Sequence, residues 1–102
     1  MAIDYDKLMN RPFAEVVQSY TKRDTILYAL GVGLNMDPLD EEQLKFTYEA
    51  DLHALPTMAV VLAGPGFWVK EPDTGIDWVK VLHGEQGLRI HRPLPAEATV
   101  SA

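Results

Sequence analysis

Cysteine is absent from the 102-residue chain, and serine occurs at only two positions, Ser19 and Ser101. Without cysteine there is no disulfide scaffold, no thiol nucleophile and no cysteine-ligated zinc. The chain also lacks a Gly-x-Ser-x-Gly motif, so neither serine is placed as the nucleophile of a catalytic triad. These absences exclude thiol chemistry and leave a serine triad without a well-placed nucleophile.

Basic residues are scarce, since nine Lys and Arg face fifteen Asp and Glu, which gives a net charge of −6. Binding to a nucleic acid backbone requires a basic face, and anionic membranes attract basic segments. We therefore expect neither nucleic acid nor a membrane as partner. The apolar content of 47% is typical of a globular protein, and we expect one domain over residues 1–102 with an N-terminal arm at 1–14.

Long apolar runs are missing as well. The longest spans 58–63, and even when it is counted from Leu55, with Pro56 and Thr57 included, it has about half of the ~20 residues that a membrane-spanning helix needs. The first residues carry two acids and no apolar core of a signal peptide. The predicted location is cytoplasmic, or peroxisomal if the source is eukaryotic.

Metal and cofactor sites have little support in the sequence. On one strand, His83 and His91 would lie about 26 Å apart, too far to share a metal ion. The Gly31-Val32-Gly33 segment follows a predicted helix rather than a strand, so it does not predict a dinucleotide site. We expect no metal and no cofactor, while an acid/base pair such as Glu49 with His83 stays open.

Residue patterns predict several short elements. A strand is predicted at 15–20, and a helix at 25–30 with capping residues at 21–24 and an apolar face of Ile26, Leu27 and Leu30. Gly31 and Gly33 are predicted to stop that helix. Strands are predicted at 44–49, 78–83 and 88–92, with another beginning at 98–102. The run at 55–63 fits a buried strand or a buried helix, and Pro56 favours the helix.

Three blocks occur together in the chain: YALGVG at 28–33, LKFTYE at 44–49 followed by LPT at 55–57, and VKVLHGEQ at 79–86 with RPLP at 92–95. Over about residues 15–100 the sequence resembles the MaoC-like dehydratase family. Within it, the chain is similar to the N-terminal hot-dog repeat of 2-enoyl-CoA hydratase 2, as in the peroxisomal multifunctional enzymes type 2. The resemblance implies an α+β hot-dog fold, in which a central helix beginning at 56–63 is wrapped by a curved antiparallel sheet.

The family hydrates trans-2-enoyl-CoA to (R)-3-hydroxyacyl-CoA. Its reacting Asp and His belong to a second repeat, in a Gly-Asp-x-x-Pro-Leu-His motif that this sequence lacks. The resemblance therefore implies a non-catalytic part that accommodates acyl-CoA, with His83 and Gly84 as substrate contacts and Glu49 as a possible catalytic group. Four further residues are expected to line an acyl tunnel, with plain core packing as the alternative: Phe46, Tyr48, Met58 and Val61.

The family's first repeat continues beyond the position of Val100, so the resemblance implies a fold that is incomplete at its C-terminal end. A fragment, a split gene, or a short variant that closes its sheet as a homodimer would each explain this. Two other functions remain open: an assembly module that pairs with a second, catalytic hot-dog subunit, and a free-standing thioesterase in which Glu49 activates water.

Overall fold

The computed structural model describes residues 2–102, which contain short helices and one two-stranded sheet. The regular elements in chain order are α1 (Tyr5–Met9), β1 (Val17–Tyr20), α2 (Lys22–Gly31) and β2 (Ala98–Ser101). Between α2 and β2 the chain forms short 3-10 helices at Leu44–Phe46, Pro56–Val61, Trp68–Lys70, Pro72–Thr74 and Trp78–Lys80. This is a small α+β arrangement.

The two strands pair antiparallel, with Val17 opposite Ser101 and Tyr20 opposite Ala98. Backbone hydrogen bonds of 2.7 and 2.9 Å between Val16 and Ala102 continue the ladder by one pair. The hydroxyls of Ser19 and Thr99 lie 2.7 Å apart on one face of the sheet. The strands predicted at 15–20 and 98–102 are therefore confirmed.

Helix α2 begins at Lys22, three residues before the predicted start at Thr25, because Thr21 and Asp24 of the predicted capping segment form a capping box. The Thr21 backbone N–H donates to the Asp24 carboxylate at 2.8 Å, and the Asp24 N–H donates to the Thr21 hydroxyl. The predicted apolar face is wrong, however. The buried positions are the small residues Thr25 and Ala29, whereas Leu27 is about half exposed.

Helix α2 ends in a glycine-based cap. Gly33 takes a positive φ of 95°, its N–H donates to Leu30, and the N–H of Leu34 donates to Ala29 at 3.0 Å. This is the Schellman pattern, in which a left-handed residue satisfies the last carbonyls of the helix. Gly33 therefore stops the helix as predicted, while Gly31 is its last residue.

Three predicted strands are wrong. Residues 44–49 form a 3-10 helix at Leu44–Phe46 and then bend, and 78–83 begin with the 3-10 helix Trp78–Lys80. Residues 88–92 are exposed and belong to no strand. A strand needs a neighbour for its backbone N–H and C=O groups, and the described residues place none beside these segments.

The apolar run after Leu55 does form helical turns, with Pro56 in the first turn as the sequence predicts. These turns are of the 3-10 type and end at Val61, so the expected start of a long central α-helix is wrong for this segment. The helical turns can begin at Pro56 because a proline in the first turn of a helix loses no hydrogen bond. After the turns end at Val61, Ala63 adopts a positive φ of 49°, which is not a helical conformation.

The N-terminal arm packs onto the residues that precede Gly75. Arg11 forms an ion pair of 2.9 Å with Asp73, and the ring of Phe13 meets the Trp68 ring edge-on at 5.4 Å. An added Cβ on Gly75 would lie 2.5 Å from the Ala2 carbonyl oxygen. The arm, which contains α1, is therefore packed against the segment from Trp68 to Gly75.

The core of the described chain is small, with four buried hydrophobic residues: Tyr20, Ala29, Met58 and Ala63. The radius of gyration is 17.5 Å, against about 13 Å for a compact domain of this length. The accessible surface is 8119 Å², about 2,300 Å² more than the size scaling of folded proteins predicts. Much apolar surface is therefore exposed.

Candidate functional site

A cleft of about 320 Å³ lies between the beginning of α2 and the bend that follows Leu44–Phe46. We call it the α2 cleft. It is lined by Lys22, Arg23, Ile26, Leu27 and Glu49. Its volume is at the lower end of the range of small-molecule sites.

Helix α2 supplies four of the five lining residues because of its periodicity. Residues four apart lie one above the other on a helix, about 6 Å apart along the axis. Lys22 is therefore followed by Ile26, and Arg23 by Leu27, in two neighbouring rows. The cleft has a cationic end at the first turn of α2 and an aliphatic wall one turn further.

Glu49 is brought to the cleft by a loop that is anchored to the end of α2. The Asn35 side chain donates to the Thr47 hydroxyl at 2.6 Å, and the Asn35 backbone N–H donates to the Gln43 side chain at 2.5 Å. The N–H of Tyr48 donates to the Leu44 carbonyl at 2.9 Å. These contacts hold the chain just before Glu49.

The charges of the α2 cleft differ from those of the whole chain. Two cations and one carboxylate line it, so its formal charge is +1 in a protein of net charge −6. Lys22, Arg23 and Glu49 form no ion pair with one another or with any other residue of 2–102. The three charged groups therefore remain free to interact with a ligand.

The other predicted site residues lie outside the α2 cleft. His83 and Gly84 are exposed in the segment after Lys80, and neither lines the α2 cleft with Glu49. Among the expected tunnel residues, Met58 is buried and Phe46 half-buried, whereas Tyr48 and Val61 are 58% and 59% exposed. The described residues form no tunnel from these four side chains.

The four residues that α2 contributes to the cleft are not among the site residues predicted from the sequence. The signal for them is the i, i+4 spacing of Lys22 with Ile26 and of Arg23 with Leu27, directly after a capping box. The sequence pattern predicts Ile26 and Leu27 on a buried face of the helix and therefore does not predict that they line a cleft with two cations.

Two further clefts have different linings. One of about 140 Å³ is apolar and lies between the turns at Pro56–Val61 and strand β2, lined in part by Ala59, Leu62 and Val100. A larger one, of about 420 Å³, lies beside the N-terminal arm. There the Arg11 guanidinium is paired with Asp73 and stacks over Trp68, so its charge already serves to hold the arm.

In the part of the chain that the structure describes, no group of three or more His, Asp or Glu side chains comes together as a metal site would require. The longest helix in residues 2–102 is α2, with ten residues. None of the helices has the length and hydrophobicity needed to cross a bilayer.

Comparison with known proteins extends the sequence resemblance. Peroxisomal multifunctional enzyme type 2 of Mus musculus is 41% identical over 83 residues, which are 76% of this chain and 11% of that protein. The peroxisomal enoyl-CoA hydratase 2 of Arabidopsis thaliana is 33% identical over 93% of this chain and 33% of its own length. The 3-hydroxyacyl-thioester dehydratase Y of Mycobacterium tuberculosis is 40% identical over 80% of this chain and 28% of its own.

The chain thus spans a third or less of the length of these relatives. A family model described as the MFE-2 hydratase 2 N-terminal domain matches residues 18–102, which include β1 from Gln18 onward, α2, the α2 cleft and β2. The family resemblance predicted from the three sequence blocks is therefore confirmed. This chain belongs to the enoyl-CoA hydratase 2 family and matches the N-terminal domain of that family.

Proposed function

We propose that this chain is the substrate-accommodating, non-catalytic N-terminal part of an (R)-specific 2-enoyl-CoA hydratase or dehydratase. The observation that carries the proposal is the α2 cleft, where an aliphatic wall, two cations and Glu49 line one space. An acyl-CoA combines an aliphatic chain, a polarised thioester carbonyl and phosphate groups. The cleft offers a complementary surface for each type of group.

The proposal that this chain is non-catalytic is supported by the absence of a Gly-Asp-x-x-Pro-Leu-His motif from its sequence. Hydration needs a general base that activates water and an acid that protonates the carbon skeleton. In the α2 cleft Glu49 provides one carboxylate, and no histidine is among the lining residues. The residues that complete the chemistry therefore belong to another part of the enzyme.

The experiment is a comparison of binding and turnover on the purified chain. Binding of crotonyl-CoA and of a longer 2-enoyl-CoA is measured by calorimetry, and hydration by loss of the enoyl absorbance. We expect binding without hydration, and weaker binding of the longer ligand in Leu27→Asp, with Leu39→Asp as the exposed control. Hydration by the chain alone would refute the non-catalytic role, and absence of binding would refute acyl-CoA accommodation.

We further propose that the fold is completed as a hot-dog when additional strands pair with this chain. The segments at 78–83 and 88–92 have strand-like sequences and lie exposed, and no strand of residues 2–102 pairs with them. Paired in a sheet, they would carry His83 and Gly84 toward substrate, and the side chains of Phe46, Tyr48, Met58 and Val61 would line the acyl path. His83→Gln should then weaken acyl-CoA binding in the completed enzyme, whereas His53→Gln should not.

A second candidate function is an assembly module that pairs with a catalytic hot-dog subunit or with a second copy of itself. The excess accessible surface, about 2,300 Å² above the value for a compact protein of this mass, is comparable with the area of an obligate interface. Native mass spectrometry tests it. A strict monomer that binds acyl-CoA would contradict this candidate and leave the first one standing.

A further inference from the structure

The cleft beside the N-terminal arm, which we call the arm cleft, is lined by aromatic side chains that the α2 cleft lacks. Its volume of about 420 Å³ lies in the range of small-molecule sites. The arm contributes Phe13, and the segment after Pro65 contributes Phe67 and Trp68. Phe13 and Phe67 are 51% and 56% exposed, so about half of each side chain is open to solvent in the cleft.

One cation of the chain already lies on an aromatic ring of the arm cleft. The guanidinium carbon of Arg11 is 5.6 Å from the centroid of the Trp68 ring, a distance at which the negative face of the ring attracts a cation. An ion pair of 2.9 Å with Asp73 neutralises this guanidinium, and the Arg11 side chain is only 18% exposed. Arg11 therefore does not make the cleft positive, and it shows that the lining accommodates an organic cation.

Glu71 gives the arm cleft a negative charge, and among residues 2–102 it forms no ion pair. Glu85 is also exposed and unpaired there, but it does not line the arm cleft. The two tryptophan rings each have a cation over them, Arg11 or Lys70. Within the described chain, no such cation lies over the two phenylalanine rings of the cleft. The cleft thus combines accessible aromatic rings with a carboxylate that has no cationic partner.

We propose that the arm cleft binds a quaternary ammonium group, with Phe13, Phe67 and Trp68 around the cation and Glu71 as its counter-charge. A quaternary ammonium has no N–H donor and spreads its charge over methyl groups, so aromatic rings and a nearby carboxylate hold it better than hydrogen-bond acceptors do. Phe13 precedes residues 18–102, which match the family model. The site is therefore independent of the proposed function.

The experiment uses choline and 3,3-dimethylbutan-1-ol as probes, because the two molecules have the same shape and differ in charge. Calorimetry measures the dissociation constant of each from the whole chain. Phe67→Leu removes an aromatic ring and keeps an apolar side chain, and Glu71→Gln removes the charge at an exposed position. The matched controls are Tyr5→Leu and Glu85→Gln, at exposed positions outside the arm cleft. Circular dichroism verifies that each variant is folded.

We expect choline to bind about tenfold more tightly than the neutral alcohol, because each partly exposed ring adds a modest attraction for the cation. Phe67→Leu and Glu71→Gln should each reduce this preference by about threefold, and the controls should retain it. Equal affinity for the two probes, or no binding of choline, would overturn the proposal. A preference that both cleft variants retain, or that the controls lose equally, would also overturn it, because the cation would then bind elsewhere or respond only to net charge.

Discussion

Two buried hydroxyl groups attach the segment before β2 to the first part of the chain, and their removal should destabilise the fold measurably. The Tyr20 hydroxyl donates to the Pro95 carbonyl at 2.6 Å, and the Thr25 hydroxyl donates to the Ala96 carbonyl at 2.7 Å. Tyr20 and Thr25 are 3% and 1% exposed. Tyr20→Phe and Thr25→Val remove the hydroxyls while nearly conserving the shape of each side chain.

Each substitution should lower the free energy of unfolding by about 1–2 kcal/mol. The loss combines the net value of a hydrogen bond with the cost of a carbonyl left unpaired at a partly buried position. For a chain of this length, each kcal/mol corresponds to a fall of about 4–8 °C in the melting temperature. Because the two carbonyls are consecutive, the double variant should lose less than the sum of the single losses.

Urea unfolding followed by tryptophan fluorescence and circular dichroism measures these changes. Tyr28→Phe is the control, since that hydroxyl forms its 2.9 Å hydrogen bond to Thr57 at an exposed position, and its loss should cost under about 0.5 kcal/mol. If Tyr20→Phe and Thr25→Val both unfold like the wild-type chain, these hydrogen bonds do not hold the sheet to α2.

Three further predictions concern burial, backbone strain and pH. Met58→Ala should lower the free energy of unfolding by about 2–4 kcal/mol, because Met58 is 2% exposed. Val61→Ala is the control and should cost little, since Val61 is 59% exposed. Equal losses of the two variants in urea unfolding would contradict this prediction. Gly75→Ala should lower the free energy of unfolding by about 2 kcal/mol and expose the N-terminal arm to proteolysis. Gly75 has a φ of 69°, and the Cβ of an alanine there would clash with the Ala2 carbonyl. Gly84→Ala is the control, because a Cβ added there meets no atom within 4 Å. Burial raises the pKa of the Tyr20 hydroxyl above its ordinary value of 10.0, so the folded state holds this proton more tightly than the unfolded state. The resulting stabilisation is complete below pH 10 and is lost as the pH rises through the folded-state pKa; a stability difference between the wild-type chain and Tyr20→Phe that stays constant from pH 9 to 12 would refute it.

Local signals in the sequence predicted local structure correctly. The capping residues Thr21 and Asp24 and the glycine cap at Gly33 satisfy backbone groups within a few residues, so α2 is recognisable without knowledge of the rest of the fold. The strand at β1 was also predictable from its β-branched and aromatic residues. Its partner, β2, was predicted only as the beginning of a strand.

Patterns that depend on distant neighbours were less informative. The alternation at 44–49 is that of a half-buried strand, but the described chain provides no neighbouring strand, and the segment closes 3-10 hydrogen bonds instead. For the candidate cleft, the family resemblance predicts Glu49 as a site residue. The positions of Lys22 and Arg23 in the same cleft depend on how the loop after Asn35 folds back on α2. That return path has no periodic signal in the sequence.

The pairing of β1 with β2 has a consequence for the order of folding. Ser19 and Thr99 are 80 residues apart in the chain, and closing a loop of that length costs about 4 kcal/mol of entropy. Helix α2, capped at both ends, can form before that cost is met, whereas the sheet forms only after most of the intervening chain has been drawn together. Amide hydrogens of α2 should therefore become protected earlier during refolding than those of Gln18 and Val100, and substitutions in the sheet should act mainly on the rate of unfolding.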